Sequence, residues 1–359
     1  MALAHGYAAH SHDTPLAPYS FERRALRDND VEIEILYSGV CHSDMHTVHD
    51  EWSGSVYPDG TIYPSVPGHE IVGRVKSLGS AATKFNVGDI VGVGTMVDSC
   101  GECGPCKEGM EPYCENYATW TYNSPDRITG ENTLGGYADL IVVREEFVLS
   151  VTHKPEQLAA VAPLLCAGVT MWSPLTHWQA GTGKKIGIVG IGGLGHMGLK
   201  LAHAMGATVV AFTTSESKVA DAKALGADEV VISRNADEMT AQANSFDLII
   251  DTVAVPHNLD PWLGLLKRHG TLTLVGIPAE PHPSPSVVNL IAGRRNLSGS
   301  LVGGIKETQE MLDFCAKHDV IPDVEMIAMR EIATAFDRMV KNDVKYRFVI
   351  DMATIQDAA

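Results

Sequence analysis

The stretch KIGIVGIGGLGHMG (185–198) decides the fold. Its first five residues read as a short apolar strand. The pattern G-x-G-x-x-G follows on Gly190, Gly192 and Gly195, and a helix opens behind it. The first glycine permits a tight turn and the second lets a pyrophosphate approach the backbone. The third lets the helix pack on the strand. Gly193 and Leu194 complete the loop, where the helix amino terminus offers N–H groups to phosphate. Alone the pattern is weak, and a tight turn without ligand would satisfy it. Between strand and helix it reads as a dinucleotide loop.

Working outward, strand and helix patterns alternate. TVVAFT (208–213), EVVIS (229–233), FDLIIDT (246–252) and TLTLVG (271–276) read as strands, with helices near 193–206, 217–226, 260–269 and 287–294. Such alternation predicts βαβ units and a doubly wound parallel sheet of the Rossmann kind, an α/β fold. Residues 158–182 are Ala-rich and helical. The first 150 residues are instead β-rich, with short apolar runs such as VEIEILYSG (31–39), EIVGRVKSLG (70–79) and DIVGVG (89–94) cut by turn residues. Past the parallel region come a strand near 297–302, amphipathic helices at 306–318 and 330–341, and a closing strand YRFVID (346–351).

The second strand of the parallel region ends in AFTTSESK (211–218). An NAD site usually places Asp or Glu there for the ribose diol. Thr213, Thr214, Ser215 and Lys218 offer hydroxyls and a cation instead, which suit a 2′-phosphate, so NADP(H) is expected; Glu216 is taken to face solvent.

The chain has 359 residues, enough for two domains, and its net charge is 27 − 44 = −17. That balance disfavours nucleic acid and anionic membranes as partners. No eighteen-residue apolar run and no signal-peptide core is present. Seven cysteines in a chain this large point to metal in a reducing cytoplasm rather than to a disulfide framework.

Four of them form CGECGPCKEGMEPYC (100–114). Cys100, Cys103, Cys106 and Cys114 make a tetrathiolate set, the closed coordination of a structural zinc. An iron–sulfur cluster or free thiols are the alternatives. Cys41 (GVCHSDMH), His69 (PGHE) and Cys166 (LLCAG) could make an open Cys2His zinc site, but spacing alone does not assemble residues so far apart.

Together, GVCHSD, VPGHEIVGRV, the four-cysteine loop, LLCAGVTMWSPL, GIGGLGHMG, LVGIP and YRFVID resemble the zinc-dependent medium-chain alcohol dehydrogenases. The branch most similar is the cinnamyl alcohol dehydrogenase-like, NADPH-dependent aldehyde reductases. The resemblance implies two zinc ions per subunit, with Cys41, His69 and Cys166 on the catalytic one. It implies that Glu70 lies near that metal, that Asp44 orients His69, that Ser43 hands off the substrate proton and that His46 relays it. It places His42 and Arg347 on the cofactor phosphates, and Trp120 and Leu301 in the substrate pocket.

It further implies a GroES-like β-barrel catalytic domain built from both chain ends (1–155 and 297–359) around a Rossmann domain (156–296), and a homodimer. The implied reaction is hydride transfer between NADP(H) and an alcohol or aldehyde, aromatic or medium-chain, with zinc as Lewis acid. A zinc polyol dehydrogenase and a noncatalytic NADPH-binding regulator are the rival readings. One departure stands out: DEWSGSVYPDGTIYPSVPG (50–68) is longer than in the plant enzymes and carries Trp52, Tyr57 and Tyr63. A second plant aromatic is replaced by Leu301.

Overall fold

The computed structural model describes residues 2–358. The chain divides into two units, 1–166 with 303–359, and 167–302.

In the second unit six parallel strands form one sheet. In chain order they are Lys185–Val189, Thr208–Thr213, Glu229–Ile232, Phe246–Asp251, Leu266–Leu274 and Asn296–Gly299. Their spatial order is third, second, first, fourth, fifth, sixth, the arrangement of dinucleotide-binding sheets. Helices cover both faces of such a sheet, so central strands bury every residue. Val209 through Phe212 follow this rule. Phe212 meets Phe246 and the edge of Trp262 at ring separations of 5.4 and 5.2 Å.

The first unit is built on a mixed seven-stranded sheet. Its strand Asp30–Gly39 alternates, with Ile33 and Ile35 buried and Glu34 exposed. The carboxyl-terminal strand Arg347–Asp351 pairs antiparallel with it, so both chain ends share one sheet. The amino terminus is part of the fold, because Ala2–Ala8 forms a hairpin with Ala17–Arg23.

Three details differ from expectation. The unit boundaries fall after Cys166 and after Val302, not after 155 and 296. The segment 155–165 folds as short helical turns that pack on the strands of the first unit. The helix expected over 260–269 stops at Leu265, and the next strand begins at Leu266. A bulge opposite Phe246 and Leu248 absorbs the extra residues, with His269 in the left-handed region. A helix Ala236–Ala241 also forms where none was read. Asn235 caps it by accepting from the N–H groups of Asp237 and Glu238, a signal present in NADE. Among the described residues no single helix is long and apolar enough to cross a membrane.

Candidate active site and metal centres

The catalytic candidates in the first unit converge from three separate segments. Cys41 stands in extended conformation at the amino terminus of the helix His42–Val48. His69 and Glu70 precede the strand Ile71–Leu78. Cys166 sits between the turn Ala162–Leu165 and the helix Ala167–His177 with non-helical backbone angles, which breaks the helix expected over 158–182 there. All four are buried. One donor atom from each lies within 4.8 Å of the others, and the Cys41 and Cys166 sulfurs are 3.9 Å apart.

Zinc–thiolate bonds of about 2.3 Å in a tetrahedron put sulfurs roughly 3.8 Å apart, so this set fits zinc. The sulfurs of the second group fit as well, with Cys100–Cys106 at 3.9 Å and Cys103–Cys114 at 4.0 Å. Gly101 and Gly109 take positive φ, letting the loop fold its sulfurs inward, and the Cys103 N–H points at the Cys100 sulfur from 3.4 Å. All seven thiols are free of disulfides.

Asp44 organises the catalytic group. It is fully buried, and its carboxylate accepts from Cys41 N–H, Gly68 N–H, His69 Nδ1 and the Tyr137 hydroxyl, at 2.9 to 3.0 Å. Four donors satisfy its lone pairs and fix the imidazole so that Nε2 is the nitrogen left for metal. Tyr137 carries no sequence signal for this role, because it lies far along the chain. A Glu70 carboxylate oxygen lies within 4.8 Å of both sulfurs, and a Cβ on Gly39 would collide with that carboxylate. Burial pushes the Glu70 carboxyl up to about 7, against the pull of Arg347. Its Oε1 pairs with the buried Arg347 guanidinium, while Oε2 has no hydrogen-bond partner. Contact with Cys166 holds the Cys41 thiol well below its ordinary range, aided by Arg347 and His69 and opposed by burial. An orphaned carboxylate oxygen beside a depressed thiol is the chemistry of a cation site.

Ser43 and His46 stand three residues apart on one helix face. The Ser43 Oγ is 3.6 Å from the Cys41 sulfur. His46 is partly exposed, and its Nδ1 is 2.5 Å from Glu51 Oε2, a partner that no motif flagged. His42 is exposed. Arg347, expected on cofactor phosphates, is buried against Glu70. Trp120 lies half-buried on the short strand Thr119–Trp120, and Leu301 is in the other unit. Tyr122, not foreseen, packs on the His69 ring at 5.5 Å.

In the cofactor unit the three loop glycines differ physically. Gly190 has φ +87°, and a Cβ there would lie 2.8 Å from Thr252 Oγ1. A Cβ on Gly195 would collide with the Gly190 carbonyl oxygen. One on Gly192 would meet nothing within 4 Å, the open approach a pyrophosphate needs. Thr213 turns inward: it is buried and accepts from the Ser215 N–H at 3.2 Å. Thr214 and Glu216 are exposed and Ser215 half-buried, with its hydroxyl 2.7 Å from that of Ser217. Lys218 donates to the Ile191 carbonyl at 3.0 Å, holding the cation beside the glycine loop.

This chain belongs to the zinc-binding alcohol dehydrogenase family: residues 27–153 match its GroES-like domain and 193–317 its zinc-binding dehydrogenase domain. It is therefore an oxidoreductase. It is 61% identical to the aldehyde reductase YahK of Escherichia coli, over 97% of this chain and 98% of that one. An NADP-dependent alcohol dehydrogenase C of Mycolicibacterium smegmatis is 48% identical, over 99% of this chain and 100% of that one. A cinnamyl alcohol dehydrogenase of Sorghum bicolor superposes with TM-score 0.92 at 43% identity, covering 98% of each chain. A Helicobacter pylori enzyme solved with NADP(H) gives 0.90 at 41% identity, covering 98% of this chain and 99% of that one.

Proposed function

We propose that this dehydrogenase reduces aldehydes with NADPH, and oxidises the corresponding alcohols with NADP, over a broad range of aromatic and medium-chain substrates. The single observation that carries the reading is the buried convergence of Cys41, His69, Glu70 and Cys166. The NADP-dependent relatives and the hydroxyl-rich turn at Thr214 and Ser215 support the cofactor preference.

When bound, zinc draws charge from the substrate oxygen, and the nicotinamide carries the hydride. The chain's own residues do the rest. Cys41, His69 and Cys166 hold the ion, and Cys100, Cys103, Cys106 and Cys114 hold the structural one. Glu70 offers its free oxygen to the same position, restrained by Arg347. In reduction the Ser43 hydroxyl would pass a proton to the substrate oxygen and be resupplied from His46 by way of the nicotinamide ribose, with His46 Nδ1 held by Glu51. Oxidation runs the path in reverse. The resemblance assigns Trp120 and Leu301 to the substrate pocket, and both side chains are apolar, which disfavours a polyol.

NADPH oxidation against aromatic, aliphatic and terpenoid aldehydes, with sorbitol and NADP as the polyol arm, tests the substrate class. Polyol turnover without aldehyde turnover would sink the reading. Ser215→Asp should lower the NADPH-over-NADH ratio of kcat/KM by ~10-fold or more, since a carboxylate repels the 2′-phosphate; that is about 1.4 kcal/mol. An unchanged ratio would remove this turn from cofactor choice.

A homodimer formed through the cofactor unit is part of the proposal. Strand Asn296–Gly299 is the edge of its sheet, and Val287, Val288, Ile291 and Leu297 are exposed nearby. An unpaired edge beside an apolar patch is a template for a second copy. Sedimentation velocity should therefore report a dimer at micromolar protein; a monomer there would discard this interface. Free thiols throughout suit a reducing cytoplasm.

A further inference from the structure

The loop after the helix His42–Val48 folds back over that helix, and Trp52 is its centre. The indole is buried and stacks on the His46 imidazole, with ring centroids 5.0 Å apart and planes inclined by 30°. The Trp52 carbonyl accepts from Ser55 N–H and Tyr57 N–H, both at 3.1 Å, and from the Ser55 hydroxyl at 3.0 Å. Tyr57 packs against the indole at 6.1 Å. Further ties reach the helix or the turn after it, while the Ile62 N–H donates to Asn123 Oδ1 at 2.8 Å and Ser65 pairs with Ala9. Thr61 Oγ1 donates to the Thr47 carbonyl and its N–H to Asp50 Oδ1, each at 2.7 Å, and the Tyr63 hydroxyl donates to the Val48 carbonyl at 2.8 Å.

We infer that Trp52 is a positioning residue for His46, and that the long segment 50–68 serves to hold that imidazole in one orientation. Glu51 takes Nδ1 and the indole covers one ring face, so Nε2 is the nitrogen left for the proton path. A ring flip would forfeit the Glu51 bond, and a rotamer change would forfeit the stack as well. His42 is the other titratable ring nearby, 6.2 Å away. This inference rests on reading His46 as the relay.

The test is a double-mutant cycle on the zinc-loaded enzyme with NADPH and an aldehyde it turns over. Trp52→Met should lower kcat about tenfold and enlarge the solvent deuterium isotope effect, because proton delivery becomes slower. Zinc content and the KM for NADPH should hold. Trp52→Phe, which keeps a ring face, should recover most of the rate. In a His46→Gln background Trp52→Met should cost nothing further. An equal loss in both backgrounds, or an unchanged isotope effect, would leave Trp52 merely structural and overturn the inference. If His46→Gln itself changes neither rate nor isotope effect, the relay reading falls, and the role of Trp52 with it. Should Trp52→Met lose zinc or fold poorly, the same cycle run with Trp52→Leu, which also removes the ring face, decides.

Discussion

Cys166→Ala should abolish turnover, by roughly 10³-fold or more in kcat/KM, equivalent to about 4 kcal/mol of lost transition-state stabilisation. Bound zinc, measured by atomic absorption, should fall from the two sites present to one. The fold should survive, because the residue occupies a turn between two helical segments and alanine, with its smaller side chain, meets the same backbone limits as cysteine. NADPH binding should persist, since the glycine loop belongs to the other unit. Cys315→Ala is the matched control. Its thiol is buried in the helix Ile305–His318, 3.6 Å from the Met311 sulfur, and belongs to neither metal group. That variant should lose some stability and no activity. Full activity in Cys166→Ala would remove the catalytic metal from the mechanism.

The second large effect separates two glycines of one motif. Gly195→Ala drives a methyl into the Gly190 carbonyl, a backbone atom that cannot step aside. Overpacking of this kind costs about 3 kcal/mol or more where no side chain can yield. The cofactor unit should melt early in a denaturant titration. Gly192→Val has open space around its Cβ position, so stability should stay within about 0.5 kcal/mol of the parent. Its branched side chain should instead occupy the approach to the phosphates and weaken NADPH binding at least ~10-fold. The two variants therefore predict opposite patterns, one in unfolding and one in fluorescence titration with NADPH. Equal behaviour would mean that the loop does not carry the cofactor as its glycines suggest.

Much of the architecture is legible because it is written locally. The strand–glycine–helix string at 185–198 states its own backbone requirements, and the positive φ of Gly190 meets one of them. The four-cysteine loop is likewise local: fifteen residues with glycines between the ligands can reach only a few arrangements that satisfy four sulfurs. The parallel strands are readable because burial on both faces demands unbroken apolar runs. Where local signals compete the reading slips. The segment 266–269 is helix-compatible, yet sheet pairing with Phe246 claims Leu266 as strand.

By itself, then, the amino-acid sequence determines the cofactor fold, its phosphate loop and the structural metal loop, because each depends on dihedral freedom and donor spacing within a few turns of chain. The tertiary structure decides the rest. Cys41, His69 and Cys166 become one site only through the pairing of distant strands and the packing of 155–165 on the first unit. That packing also carries Cys166 across the expected domain boundary. The four donors on Asp44, Arg347 against Glu70, and the indole on His46 are likewise products of register and packing. Spacing along a chain holds no information about such contacts, since their energies arise only when separate elements exclude water from the same few ångströms.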